Sequence, residues 1–121
     1  MFCRGVRGAT TASENSKEAI AEATQALLRE MLAANEIELE AVASAFFTCT
    51  PDLTAEFPAW AARQIGWTEI ALMCAHEMSV PGMLPLCIRV LLHVNTEKSL
   101  RQIRHIYTRG AINLRPATGS Q

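Results

Sequence analysis

No stretch of this sequence is apolar for long enough to cross a membrane, because the longest apolar segment is interrupted by Arg89 and His93. Its beginning lacks signal-peptide character: the few early apolar residues are scattered among Arg4, Arg7 and glycines. The four cysteines, Cys3, Cys49, Cys74 and Cys87, contain no C-x-x-C pair and have apolar neighbours. They read as reduced, mostly buried thiols of a cytoplasmic protein. A phosphate-binding loop is missing, and the Gly5/Gly8 spacing fits no dinucleotide fingerprint. Neither a G-x-S-x-G elbow nor a convincing carboxylate pair is present, and there are no repeats, low-complexity tracts or linkers. Phosphoryl transfer, dinucleotide chemistry and conventional serine hydrolysis therefore have no footing.

What remains is a chain of 121 residues, half of them apolar, with a net charge of −1. That is one domain, residues 1–121, with 116–121 expected to form a flexible tail. So short a chain has little room for a deep private cleft, which favours a pocket shared between subunits. The charge is unevenly spread. Residues 1–77 hold five Lys/Arg against eleven Asp/Glu, whereas 78–121 hold six Lys/Arg against Glu97 alone. A basic C-terminal third suits a small anionic ligand, with Lys98 and Arg101 read as solvated surface charges. Nucleic acid fits less well, since Tyr107 is the one aromatic residue of that region and the pI is near 6.3.

Residues 2–10 read as a strand placing Cys3, Gly5, Arg7 and Ala9 on one face, so that Arg7 has small neighbours and space beside it. Residues 16–34 read as an amphipathic helix with Ile20, Ala23, Leu27 and Met31 inward, Asn15 as N-cap with Glu18 three residues on, and Asn35 as stop. Ser44–Thr50 and Thr68–Cys74 are expected as strands, and Pro58–Ile65 as a short helix ended by Gly66. Met78–Pro85 must be a loop. Leu86–Val94 is the clearest strand, with Leu86, Ile88, Val90, Leu92 and Val94 on one face and Cys87, Arg89, Leu91 and His93 on the other. Around 100–108 a helical turn or strand is expected. The class is α+β, a mixed sheet with helices packed on one side.

Arg89 is the sharpest anomaly, a permanent cation in the middle of an apolar strand. It is either half of an internal ion pair, with a carboxylate such as Glu77, or a guanidinium aimed into a ligand pocket. Glu77 follows a strand end, where functional residues and ordinary exposed carboxylates both occur. His76-Glu77 is no zinc-protease signature, since Val80 stands where the second His is required. Cys74 with His76 lacks the third group of a nucleophilic set. His93 and His105 have no ligand partners at useful spacing, so no metal is expected. Tyr107 lies in Arg104-His105-Ile106-Tyr107, an alternation that can turn the phenol inward.

Six segments then occur in order: Arg4 to Thr11 (RGVRGATT), Thr50-Pro51-Asp52-Leu53, Phe57-Pro58-Ala59, Cys87-Ile88-Arg89-Val90, Ile103 to Tyr107 (IRHIY) and Leu114-Arg115-Pro116. Together they resemble the monofunctional, Bacillus-type (AroH-class) chorismate mutases over essentially the whole chain. The resemblance implies a homotrimer built as a pseudo-α/β-barrel, with active sites between subunits and no cofactor. It implies the Claisen rearrangement of chorismate to prephenate, in phenylalanine and tyrosine synthesis. Arg89 would donate to the ether oxygen, and Glu77 would accept from the ring hydroxyl with Cys74 close by. Arg7 and Tyr107 would hold a side-chain carboxylate. Phe57, Ala59, Arg63, Met73 and Leu114 would wall the cleft, and Arg115 would sit on a C-terminal end that closes over it.

Two positions depart from the family pattern. Trp60 stands where relatives often carry a charge, and Ala117 where an acidic residue commonly follows the Arg-Pro. A pericyclic reaction needs neither nucleophile nor metal, which accounts for the missing catalytic signatures. The competing reading from the same basic residues is a non-catalytic trimeric module binding a small dicarboxylate through Arg7, Arg89 and Arg115. A third is another enzyme on a related trimeric scaffold acting on a different small acid.

Overall fold

A computed structural model describes residues 1–114. The chain runs β1 (Phe2–Thr11), α1 (Lys17–Asn35), β2 (Val42–Cys49), α2 (Pro58–Gln64), β3 (Ala71–His76), β4 (Cys87–Thr96) and β5 (Ile106–Tyr107). Single 3-10 turns stand at Leu39–Ala41, Leu100–Gln102 and Arg109–Ala111. The strands form one mixed sheet in the order β3-β2-β4-β1-β5. β4 is antiparallel to both β1 and β2, while the outer pairs β2/β3 and β1/β5 are parallel. The expected α+β architecture is therefore the observed one.

Alternation along the strands separates two faces. Val6, Ala45, Phe47, Val90, Leu92 and Val94 join Leu27, Leu28 and Met31 of α1 and Ala59 and Ala62 of α2 in one core. Both helices thus cover the same face of the sheet. A bulge between Val42 and Ser44 lets Val42 and Ala45 both point inward although they are three residues apart. Gly8 sits beneath α1, where an added Cβ would collide with the Met31 sulfur and press on Leu27.

Helix α1 follows its apolar stripe, but its ends differ from expectation. Ser16 is the N-cap, extended and accepting from Ala19 N–H at 3.1 Å. Asn15 instead accepts from the N–H groups of Thr54 and Ala55, which ties the segment after β2 to the helix start. Asn35 is the last helical residue rather than a stop. Glu36 takes the left-handed conformation (φ 54°), and Ile37 and Glu36 N–H close onto Leu32 and Ala33 carbonyls.

Boundaries of the strands shift for local reasons. β2 occupies Val42–Cys49, because Thr50 leaves the ladder to begin the turn Thr50-Pro51-Asp52. Thr50 Oγ1 accepts from Cys87 N–H, and Asp52 Oδ2 accepts from Leu86 N–H at 2.9 Å. Leu86 is held at φ 53°, so β4 starts one residue later than expected and extends to Thr96. The hydrogen bond from Thr50, followed by that from the Leu86 backbone, keeps the Asp52 carboxyl below its ordinary pKa. α2 ends at Gln64 with Gly66 at φ 101°. β3 is Ala71–His76 rather than Thr68–Cys74, its register set by pairing with β2 from Ser44 to Cys49. The weak signal at 100–108 resolves into a capped turn followed by β5.

Asn35 is fully buried and welds the end of α1 to the segment entering β5. Its side chain donates to Met31 O (2.8 Å) and Arg104 O (2.9 Å) and accepts from Arg104 N–H (2.7 Å). Truncation would strand two backbone groups of Arg104 in a site sized for an amide. We expect Asn35→Ala to lower unfolding free energy by about 2–4 kcal/mol, measured by denaturant titration.

Candidate active site

The helix-free face of the sheet carries the polar anomalies of the sequence. Cross-strand register aligns Ala75, Thr48, Arg89, Ala9 and Tyr107 in a single row running from β3 to β5. The adjacent row aligns Met73, Phe46, Leu91 and Arg7. Neighbouring strands lie about 4.8 Å apart, so the Cα atoms of Arg89 and Tyr107 are separated by about 10 Å. Ala9 stands between them, fully buried. Arg7, Thr48, Glu77, Arg89 and Tyr107 line a hollow of about 310 Å³. Glu77 and Arg89 also border a second hollow of about 440 Å³, walled by the loop from Met78 to Leu84 and by Leu114.

Glu77 lies just beyond β3, its N–H bonded to Cys49 O at 2.9 Å. Its Oε2 accepts from Thr48 Oγ1 at 2.9 Å and faces Arg89 Nη1 at 3.6 Å. The ion pair expected from the sequence is present. Both side chains stay about a quarter exposed (23% and 25%), so the pair borders the hollow rather than closing on itself in the core. Both readings of Arg89 meet here, since the partnered cation also lines a cavity. Arg7 projects toward the hollow with Gly5 and Ala9 on its own face, as its spacing implied. His105 Nδ1 accepts from Arg7 N–H at 3.0 Å, continuing the β1/β5 contact one residue before the strand begins. Thr108 N–H to Ala9 O continues it at the other end.

Other expected residues are not brought to this hollow. Cys74 pairs in register with Phe47 and points toward α2, where the Ala59 N–H and the Arg63 charge act on it. Phe57, exposed at the start of α2, and Cys74 line a separate hollow of about 430 Å³ with Leu53, Pro58 and His76. Ala59 is buried in the core cluster and Arg63 is exposed on α2. Met73 is exposed on the helix-free face beside Phe46. Arg115 and the tail 116–121, with Ala117, lie outside the described residues. Trp60, which stands where relatives often carry a charge, has the Lys17 ammonium of α1 4.3 Å above its ring.

Two contributors went unrecognised in the sequence. Thr48 was read merely as part of a buried strand, although it alternates with Phe46 and so shares the face of its partner Arg89. His105 reads in the sequence as a rejected metal ligand and as part of the IRHIY segment, not as an acceptor for the β1 backbone. Among the described residues no group of three or more His, Cys, Asp or Glu is placed to hold a metal ion. Nor is any described helix long and apolar enough to cross a membrane.

The thiols are quiet. All four cysteines are free; Cys49 and Cys87 are buried and Cys74 half-buried, but Cys3 is exposed, contrary to the reading of it as one of a mostly buried set. Burial pushes Cys49 and Cys74 up, and pushes Cys87, beside Arg89 on the same face, up to about 11.

The family model described as chorismate mutase type I matches residues 3–118. A chorismate mutase AroH from Thermus thermophilus is 51% identical over 114 residues, covering 93% of both chains. The chorismate mutase AroH of Bacillus subtilis is 41% identical over 117 residues, covering 96% of this chain and 92% of that one. The structure of a chorismate mutase from Clostridium thermocellum superposes with a TM-score of 0.88 at 51% identity, covering 89% of this chain and 96% of that one. Burial holds the Cys74 thiol above its ordinary pKa, which disfavours the thiolate a nucleophile needs. Iodoacetamide at pH 8 is expected to leave Cys49, Cys74 and Cys87 unmodified while consuming free cysteine, as read by peptide mass spectrometry.

Proposed function

This chain belongs to the chorismate mutase type I family and is an isomerase converting chorismate to prephenate; we propose that Arg89 and Glu77 carry the chemistry, with Arg7 and Tyr107 holding the substrate. The observation that carries this assignment is the row Thr48-Arg89-Ala9-Tyr107, which brings a cation and a phenol to one hollow that Arg7 and Glu77 also line.

In the rearrangement one C–O bond breaks while one C–C bond forms, and the electrons move within a single molecule. The enzyme therefore supplies shape and charge rather than a reacting group. Negative charge develops on the ether oxygen as the C–O bond lengthens, and the Arg89 guanidinium is the donor for it. Glu77 accepts from the ring hydroxyl and lies near the ring carbons that become electron-poor. Arg7 and the Tyr107 hydroxyl bind the side-chain carboxylate, which holds that side chain folded over the ring. A millionfold acceleration requires about 8 kcal/mol of differential stabilisation. One well-placed donor in a partly dry site contributes about 3–4 kcal/mol of it. The remainder falls to the folded conformation and to Glu77.

Phe57, Ala59, Arg63 and Cys74 occupy the other side of the sheet from Arg89, and Met73 lies toward its β3 edge. This division supports a homotrimer in which one subunit lends its exposed Phe57, Arg63 and Met73 to the charged hollow of the next, Ala59 remaining in its own core. Exposed Phe46 (41%), Leu91 (36%) and Met73 (62%) on the helix-free face favour the same arrangement. Leu114, which lines the second hollow, completes the proposal. Four unpaired cysteines suit the reducing cytoplasm as its location. No observation favours the dicarboxylate-binding module.

Purified protein mixed with chorismate and a chelator, with no added cofactor, is expected to convert it to prephenate. Arg89→Ala should lower kcat by about a hundred- to a thousandfold while far-UV dichroism and molecular mass stay unchanged. Arg89→Lys should also be poor, because an ammonium cannot reproduce the fork. Near-normal turnover by Arg89→Ala would remove Arg89 from its role, and a mass by light scattering other than three chains would remove the trimer.

A further inference from the structure

The carboxylate of Glu77 is fixed by Thr48, not by Arg89. Both contacts converge on the same oxygen, Oε2, but the Thr48 hydroxyl is at 2.9 Å and the guanidinium nitrogen at 3.6 Å. Hydrogen-bonded Arg–carboxylate pairs close to about 2.7–2.9 Å, so this ion pair is held open. Thr48 stands between its register partners Arg89 on β4 and Ala75 on β3, half-buried on the helix-free face. A β-branched side chain on a strand has few accessible rotamers, which makes its hydroxyl a stiff donor. A carboxylate can only accept, so the hydroxyl proton is directed to Oε2. The Glu77 N–H bond to Cys49 O anchors the backbone beside it.

We propose that Thr48 is a positioning residue for the rearrangement, holding Glu77 back from a tight fork with Arg89 so that both groups face the substrate. The proposal rests on the assignment of Glu77 and Arg89 given above. With Oε2 engaged by Thr48, Oε1 is the oxygen presented to the ring hydroxyl. Without the hydroxyl, the carboxylate swings onto the guanidinium. The electrostatic donor for the ether oxygen and the acceptor for the ring hydroxyl are then spent on each other. The position tolerates loss of the hydroxyl structurally, because Val has nearly the same shape and an equal preference for strands.

The test is a double-mutant cycle in the full-length protein with chorismate as substrate. Thr48→Val, and Thr48→Ala as a second hydroxyl-free variant, are expected to lose about ten- to a hundredfold in kcat/KM with an unchanged thermal midpoint. Thr48→Ser is expected to recover most of that loss. In a Glu77→Gln background the further effect of Thr48→Val should shrink to within about twofold, since the group it positions has already changed. Full activity in both hydroxyl-free variants, or losses that simply multiply in the double mutant, would overturn the proposal. Wild-type turnover by Glu77→Gln alone would instead overturn the role given to Glu77, and this inference with it.

Discussion

β4 is bonded along both edges, to β1 over its full length and to β2 over most of it. Its register is consequently not free to slip, and a slip of one residue would exchange its two faces. Ile88, Val90, Leu92 and Val94 would leave the helices, and Arg89 would be driven into an apolar core. The cost of burying an unpaired guanidinium there makes the observed register the one compatible arrangement. Every other placement follows from it. β1 presents Arg7 and Ala9 because they oppose Leu91 and Arg89, β2 presents Thr48 for the same reason, and β5 adds Tyr107 across from Ala9.

The reaction explains why this face has so few polar groups. Nothing must be deprotonated or attacked, so the proposed site can rely on permanent cations and a carboxylate rather than on groups poised to exchange protons. Arginine suits this task because its charge survives partial burial and its donors keep a fixed geometry. The raised thiol of Cys87, beside Arg89 on the same face, stays neutral and serves as packing next to that charge.

Much of this was legible in the sequence where one strong period governed a segment. β4 showed both of its faces, α1 its buried stripe, and the strand at 2–10 the gap beside Arg7. Boundaries failed where a tertiary bond overrode local preference. Ser16 displaced Asn15 as cap because Asn15 is engaged by the backbone of Thr54 and Ala55. Leu86 left its strand because Asp52 holds its N–H. The candidate residues separated into two groups on opposite faces of the sheet, and neither spacing nor composition carries that information. Thr48 was invisible for a related reason: a threonine in an apolar strand is ordinary until its cross-strand neighbours are known.

The left-handed Leu86 makes the approach to β4, just before its first residue, sensitive to acid. Asp52 is the acceptor that keeps Leu86 in that conformation, and its carboxyl pKa is lowered first by Thr50 and then by the Leu86 backbone. A carboxyl whose folded pKa is depressed contributes its full share of stability above its unfolded value and loses it as pH falls through the folded one. In mounting acid the clasp at Leu86 loosens while the apolar core under β4 has nothing to titrate. The bond that weakens lies three residues before the guanidinium, while Cys87 stays tied to Thr50 and paired with Thr11.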